Sequence, residues 1–136
     1  IAGRFAQGFD PPERAGYVSM KVVNREFWEE ILKLTTIQAI LIDRPKGQSH
    51  PRYPEMIYPL DYGYIENTSS RDGGGIDVWI GSAETKKLTG ILCTFDTLKL
   101  DAEIKILLGC TEEDVETIID FHDQPMKILY IQKPED

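Results

Sequence analysis

Carboxylates recurring at short intervals near the middle of the chain are the residues best suited to chemistry. Asp72 and Asp77 bracket three glycines (Asp72-Gly-Gly-Gly-Ile-Asp77), and Asp96 and Asp101 repeat the same five-residue interval just before Glu103. A glycine turn lets the backbone bend until both carboxylates of the first pair face one point. Asp101, Glu103 and Lys105 alternate, so in a strand all three project from one face. Carboxylates gathered at that density repel one another unless water or cations neutralise them. Hard cations with oxygen ligands, Mg²⁺ above all, suit such a group when a phosphate supplies further ligands. Taken singly, each cluster also reads as solvated loop acids on an acidic protein.

The strongly cationic stretch is Arg44-Pro-Lys46-Gly-Gln-Ser-His50-Pro-Arg52-Tyr53, followed by Tyr58-Pro-Leu-Asp-Tyr62-Gly-Tyr64. Arginine presents a planar fork matched to phosphate oxygens, and tyrosine donates a hydrogen bond without adding charge. Lys46, Arg52, Tyr58 and Tyr62 are therefore candidate phosphate contacts beside the acidic groups. Each tyrosine reads equally well as core packing with its hydroxyl at the surface. His50, between Ser49 and Pro51, is expected to be exposed rather than catalytic.

The elements that must position these groups are legible from periodicity. A helix is expected from a cap at Asn24, with Phe27, Ile31 and Leu34 flanked by Trp28 and Leu32 as its apolar stripe. Strands are expected at Ile37–Asp43, Ile76–Ile80, Leu88–Phe95, Ile104–Leu108 and Lys127–Gln132. Residues 48 to 63, with Pro51, Pro54 and Pro59, are expected to be extended and irregular. A second helix should open at Thr111 and run to about His122, turning Val115, Ile118 and Ile119 inward. The expected fold is α+β but mainly β: a small five-stranded barrel with two helices outside it.

Composition narrows the function. The 136 residues suit a single domain, and a net charge of −8 argues against nucleic acid as a partner. No apolar run approaches the roughly 18 residues that cross a bilayer, so no membrane partner is expected. Residues Ile1 to Ala15 lack a signal-peptide pattern, and Met20-Lys21 looks like a native start. That reading leaves 1–19 as an extension and 20–136 as the domain, with a cytoplasmic address. Cys93 and Cys110 read as reduced thiols without the spacing of a zinc site.

Together these features resemble the soluble (family I) inorganic pyrophosphatases, over about Ile40 to Lys105, roughly half the chain. Tyr58-Pro-Leu-Asp-Tyr62-Gly-Tyr64 is similar to that family's aromatic YPxNYGY segment. Asp72-Gly-Gly-Gly-Ile-Asp77-Val78 falls on its DGDPxDV metal motif, and Asp96 and Asp101 keep the spacing of its two further metal aspartates. Asp43 falls where the family has a glutamate ahead of a proline, and Arg52-Tyr53 on its Lys-Tyr. The resemblance implies an oligonucleotide-binding-like barrel, a homo-oligomer, and Mg²⁺-dependent hydrolysis of pyrophosphate or another small phosphoanhydride. It implies Asp72, Asp77 and Asp101 as main metal ligands, Asp77 bridging two ions, Asp96 binding a later metal, and Arg52 and Tyr62 contacting phosphate with Tyr58 nearby. Water between two metals would then attack in line.

The chain departs from that pattern at Gly74, which takes the place of the motif's catalytic-base aspartate, and at Pro54, which replaces a glutamate. Glu103 stands where the family has lysine, and the late Tyr-Lys pair has no counterpart. Glu103 offers a carboxylate on the face of Asp101, and Lys105 a substitute for the lysine. The leading expectation is a pyrophosphatase-like hydrolase. The alternatives are a metal-dependent phosphate-compound binder without catalysis, and a structural module associating through Phe27, Trp28 and Ile31.

Overall fold

The computed structural model describes residues 23–70, 73–122 and 125–135, so Asp72 and the expected extension 1–19 lie outside the described residues. The chain divides into two compact units after Lys33. Helix α1 (Val23–Ile37) carries Glu26 in its first turn, where an acid complements the helix dipole. Asn24, expected as the cap, falls inside that first turn. Trp28 is buried, and Phe27 meets it edge-on at 5.3 Å. On the exposed side Lys33 donates to Glu30. The helix runs on through Thr35 and Thr36, and Gln38 N–H closes onto the Leu34 carbonyl. The first strand therefore begins later than expected, because backbone hydrogen bonding carries the helix through residues whose β-branching favours a strand.

The second unit is a six-stranded mixed sheet made of β1 (Ile40–Arg44), β2 (Asp61–Ile65), β3 (Ile76–Ile80), β4 (Leu88–Asp96), β5 (Asp101–Leu108) and β6 (Met126–Gln132). Their order across the sheet is β1-β2-β3-β5-β4-β6. A tight turn makes β5 antiparallel to β4, and β5 then lies between β4 and β3, to which it runs parallel. Among the described residues the molecule is thus mainly β with two helices, as expected. In place of a closed five-stranded barrel it has an open sheet, with β1 and β6 as its edges. The last strand, β6, pairs along the free side of β4.

Register sorts the side chains onto two faces. Trp79, Leu92 and Leu107 lie on one, packed with Tyr58, Leu60 and Cys110 and with Val115 and Ile118 of helix α2 (Glu112–Phe121). Val78, Ile91 and Ile106 are buried on the other. Helix α2 is fixed by a capping box: Asp114 N–H donates to Thr111 Oγ1 at 3.0 Å, and Thr111 N–H donates to Asp114 Oδ2 at 2.9 Å. The same carboxylate accepts from Ser82 N–H and Oγ–H, tying the helix start to the loop after β3. Gly63 lies opposite Ile42 where β2 pairs with β1. A Cβ there would collide with the Leu41 carbonyl oxygen, so the glycine between Tyr62 and Tyr64 is set by packing.

Candidate functional site

The sheet brings together four of the residues singled out in the sequence. Tyr62 on β2 sits opposite Trp79 of β3, Tyr64 opposite Asp77, and Val78 beside Ile106 of β5. Strand alternation then turns Tyr62, Asp77, Glu103 and Lys105 to one face. Tyr62 Oη donates to Asp77 Oδ2 at 2.6 Å. Lys105 Nζ donates to the same oxygen and to Tyr62 Oη, each at 2.9 Å. The Glu103 carboxylate lies 4.0 Å from the ammonium. The side chain of Lys105 is 6% exposed against 24% for Asp77, so the cation is buried and the carboxylate partly wet.

Of the three donors of an ammonium, two are committed here to Asp77 and Tyr62. Burial is the main cause holding the Tyr62 phenol well above its usual range, with the Asp77 charge adding to it. Tyr62 therefore stays a neutral donor at physiological pH.

Beneath this cluster lies a packed set of rings. Tyr62 meets Trp79 at 4.6 Å and Tyr58 at 5.6 Å, and Phe121 packs on Tyr58 at 4.7 Å. Trp79 Nε1–H donates to His122 Nε2 at 3.3 Å. Burial, with the Lys105 charge adding, pushes His122 down to about 3, so the imidazole is a neutral acceptor. His122 also closes α2, its N–H reaching the Ile118 and Ile119 carbonyls. Neither Trp79 nor His122 was singled out in the sequence as a site residue; they join through pairing and helix length, which no short motif records.

The second acidic pair is arranged differently. Asp96 and Asp101 face each other at the end of the β4–β5 hairpin. Asp96 Oδ1 accepts from the Leu98 and Lys99 N–H groups, each at 2.9 Å, and these bonds hold its carboxyl below the usual range. Asp96 is thus a turn-forming residue. Glu103 and Asp101 share a face of β5, as the alternation required.

The remaining candidates lie on and after β1. Asp43 is exposed with its carboxylate 3.7 Å from Arg44. Arg44, which the sequence reading left without a role, sits opposite Tyr62 and interacts with the Tyr58 hydroxyl, although burial still raises Tyr58 overall. Lys46 and Arg52 are exposed, and Lys46 N–H is anchored on Asp61 Oδ1 at 2.8 Å. His50 is half-buried between rings rather than exposed. Gly74, where the resemblance sets the family's base, has no side chain to act as one, and its carbonyl accepts from Ser70 N–H and Oγ–H.

For Mg²⁺ the donors are chemically suitable, all being carboxylate oxygens. Among the described residues no group of three His, Cys, Asp or Glu side chains could hold a metal ion, and Asp72, an expected ligand, lies outside them. Also among the described residues, no helix is long and apolar enough to cross a membrane. Comparison with protein-family models and with curated proteins returns no match.

Proposed function

We propose that this chain binds a small phosphoanhydride, inorganic pyrophosphate or a close relative, and hydrolyses it with Mg²⁺. One observation carries the reading. Tyr62, Asp77, Glu103 and Lys105, drawn from three separate strands, lie within hydrogen-bonding or ion-pair reach on one face, beside the cationic loop after β1. Such convergence of acid, base and phenol is what phosphoryl chemistry needs for positioning and charge compensation.

In this reading Asp72, Asp77 and Asp101 would hold Mg²⁺, with Asp43 and Asp96 as outer carboxylates. Bound Mg²⁺ supplies neutralisation of phosphate oxygens and a lower pKa for water. Lys105 and Tyr62 orient Asp77. Glu103 would accept a proton from the attacking water, the task left open at Gly74. Lys46, Arg52, Tyr58 and Lys105 would hold the outer phosphate oxygens. Strands β1-β2-β3-β5-β4 would correspond to the five of the oligonucleotide-binding-like barrel, with β6 added. Both cysteines are free, which suits a reducing cytoplasm. Phe95, Ile104 and Leu129, exposed on one sheet face, would suit a homo-oligomer.

A second reading, binding without hydrolysis, is favoured by Asp77 Oδ2, which already accepts from both Tyr62 and Lys105. Phosphate release from pyrophosphate, with and without Mg²⁺ and with Asp77→Ala as control, separates the two. Metal-dependent release lost in Asp77→Ala is the expected result. Mg²⁺-dependent binding without release would leave the binder, and neither would leave a structural module.

A further inference from the structure

The loop between β1 and β2 is built as more than a cationic arm. Its arms are tied by backbone bonds from Gly47 N–H to Tyr58 O at 2.8 Å, Tyr58 N–H to Gln48 O at 2.9 Å and His50 N–H to Met56 O at 2.8 Å. His50 Nδ1 accepts from Arg52 N–H at 3.0 Å and Tyr53 N–H at 3.3 Å, which fixes the imidazole plane. That ring lies parallel to Tyr58, 4° from its plane at 6.1 Å, and Tyr53 sits 5.1 Å beyond it. Tyr58 in turn meets Tyr62, the donor to Asp77. A line of four rings therefore runs from the acidic cluster out to Tyr53, which keeps 51% of its surface in water. Arg52 is exposed next to it, and the charges of Arg44 and Arg52 both act on His50.

Bare pyrophosphate has no use for a ring platform. A planar heterocycle does: bases stack on aromatic faces and on guanidinium groups, independently of sequence. Resting on the reading that the Asp77 cluster receives a phosphoanhydride, we infer that the Tyr53–His50 surface receives the planar base of a nucleoside diphosphate-type substrate. The anhydride lies toward Asp77 and the base toward Tyr53.

Calorimetric titration with ADP and with pyrophosphate, each with Mg²⁺, tests this on the full chain, with Tyr53→Ala and Tyr53→Phe. The expected result is tighter binding of ADP than of pyrophosphate. Tyr53→Ala should weaken ADP about tenfold while sparing pyrophosphate, and Tyr53→Phe should retain both. Equal affinity for the two ligands, or equal losses for both in Tyr53→Ala, overturns the inference. Binding of pyrophosphate without ADP leaves the phosphoanhydride reading standing and removes this one; binding of neither removes both.

Discussion

Asp77 and Asp96 each belong to an aspartate pair with the same five-residue interval, and each lies in a β-strand. The fold satisfies them by opposite means. Asp77 is held by side chains from two other strands, a phenol and a buried ammonium. Asp96 is held by backbone N–H groups two and three residues ahead of it. The first carboxylate is tied to tertiary structure and the second to its own turn. Equal spacing thus says little about equal role; what decides is whether the partner is distant or adjacent in sequence.

Removing the distant partner should have the largest effect. Lys105→Met leaves Asp77 without its cation and should lower unfolding free energy by about 3 kcal/mol in urea titration, because an uncompensated, partly buried charge remains. Adding Asp77→Asn to Lys105→Met should recover much of that loss. If the double variant is as unstable as the sum of the single ones, the pair is not coupled and the contrast with Asp96 weakens.

Next is a difference in pH window. His122 is neutral in the fold down to about 3 but protonates near 6.5 when unfolded. Its depressed pKa means that the unfolded state binds more protons below 6.5, so stability falls as pH drops. The loss should reach about 2 kcal/mol by pH 5. His122→Phe should remove that slope in urea melts at pH 7 and pH 5. Asp96, also depressed but a carboxylate, contributes stability above its ordinary 3.8 that is lost only at lower pH.

Tyr62→Phe keeps the ring stack and removes the hydroxyl between Lys105 and Asp77; it should cost about 1–2 kcal/mol by the same titration. Asp96→Ala should have the smallest effect, seen as faster amide exchange at Leu98 and Lys99 with the Asp77 cluster unchanged. A comparable loss in Asp96→Ala and Tyr62→Phe would break the comparison.

The same division explains what could be read in the sequence. The alternation of Asp101, Glu103 and Lys105 was legible because a strand's period of two is local, and Glu103 and Lys105 do meet. Strand β3 and the capped helix α2 were legible for the same reason, and helix α2 ends beside the expected His122. The ion pair between Asp77 and Lys105 was not, since it depends on β5 entering the sheet between β3 and β4. Barrel closure was equally hidden, because it depends on which strand takes the free side of β4. His122 had no signature at all; its role follows from a helix length that brings it to Trp79.

The parallel contact between β3 and β5 also sets the order in which the molecule can assemble. Antiparallel β4 and β5 are joined by a tight turn and can zip within their own segment, whereas β3, paired with β2 on one side, must wait on its other side for a strand that is made later in the chain. The Asp77–Lys105 contact therefore forms only once the β4–β5 hairpin has docked on β3. A nascent chain has every residue of the cluster in place by Lys105 yet no cluster until that step is finished.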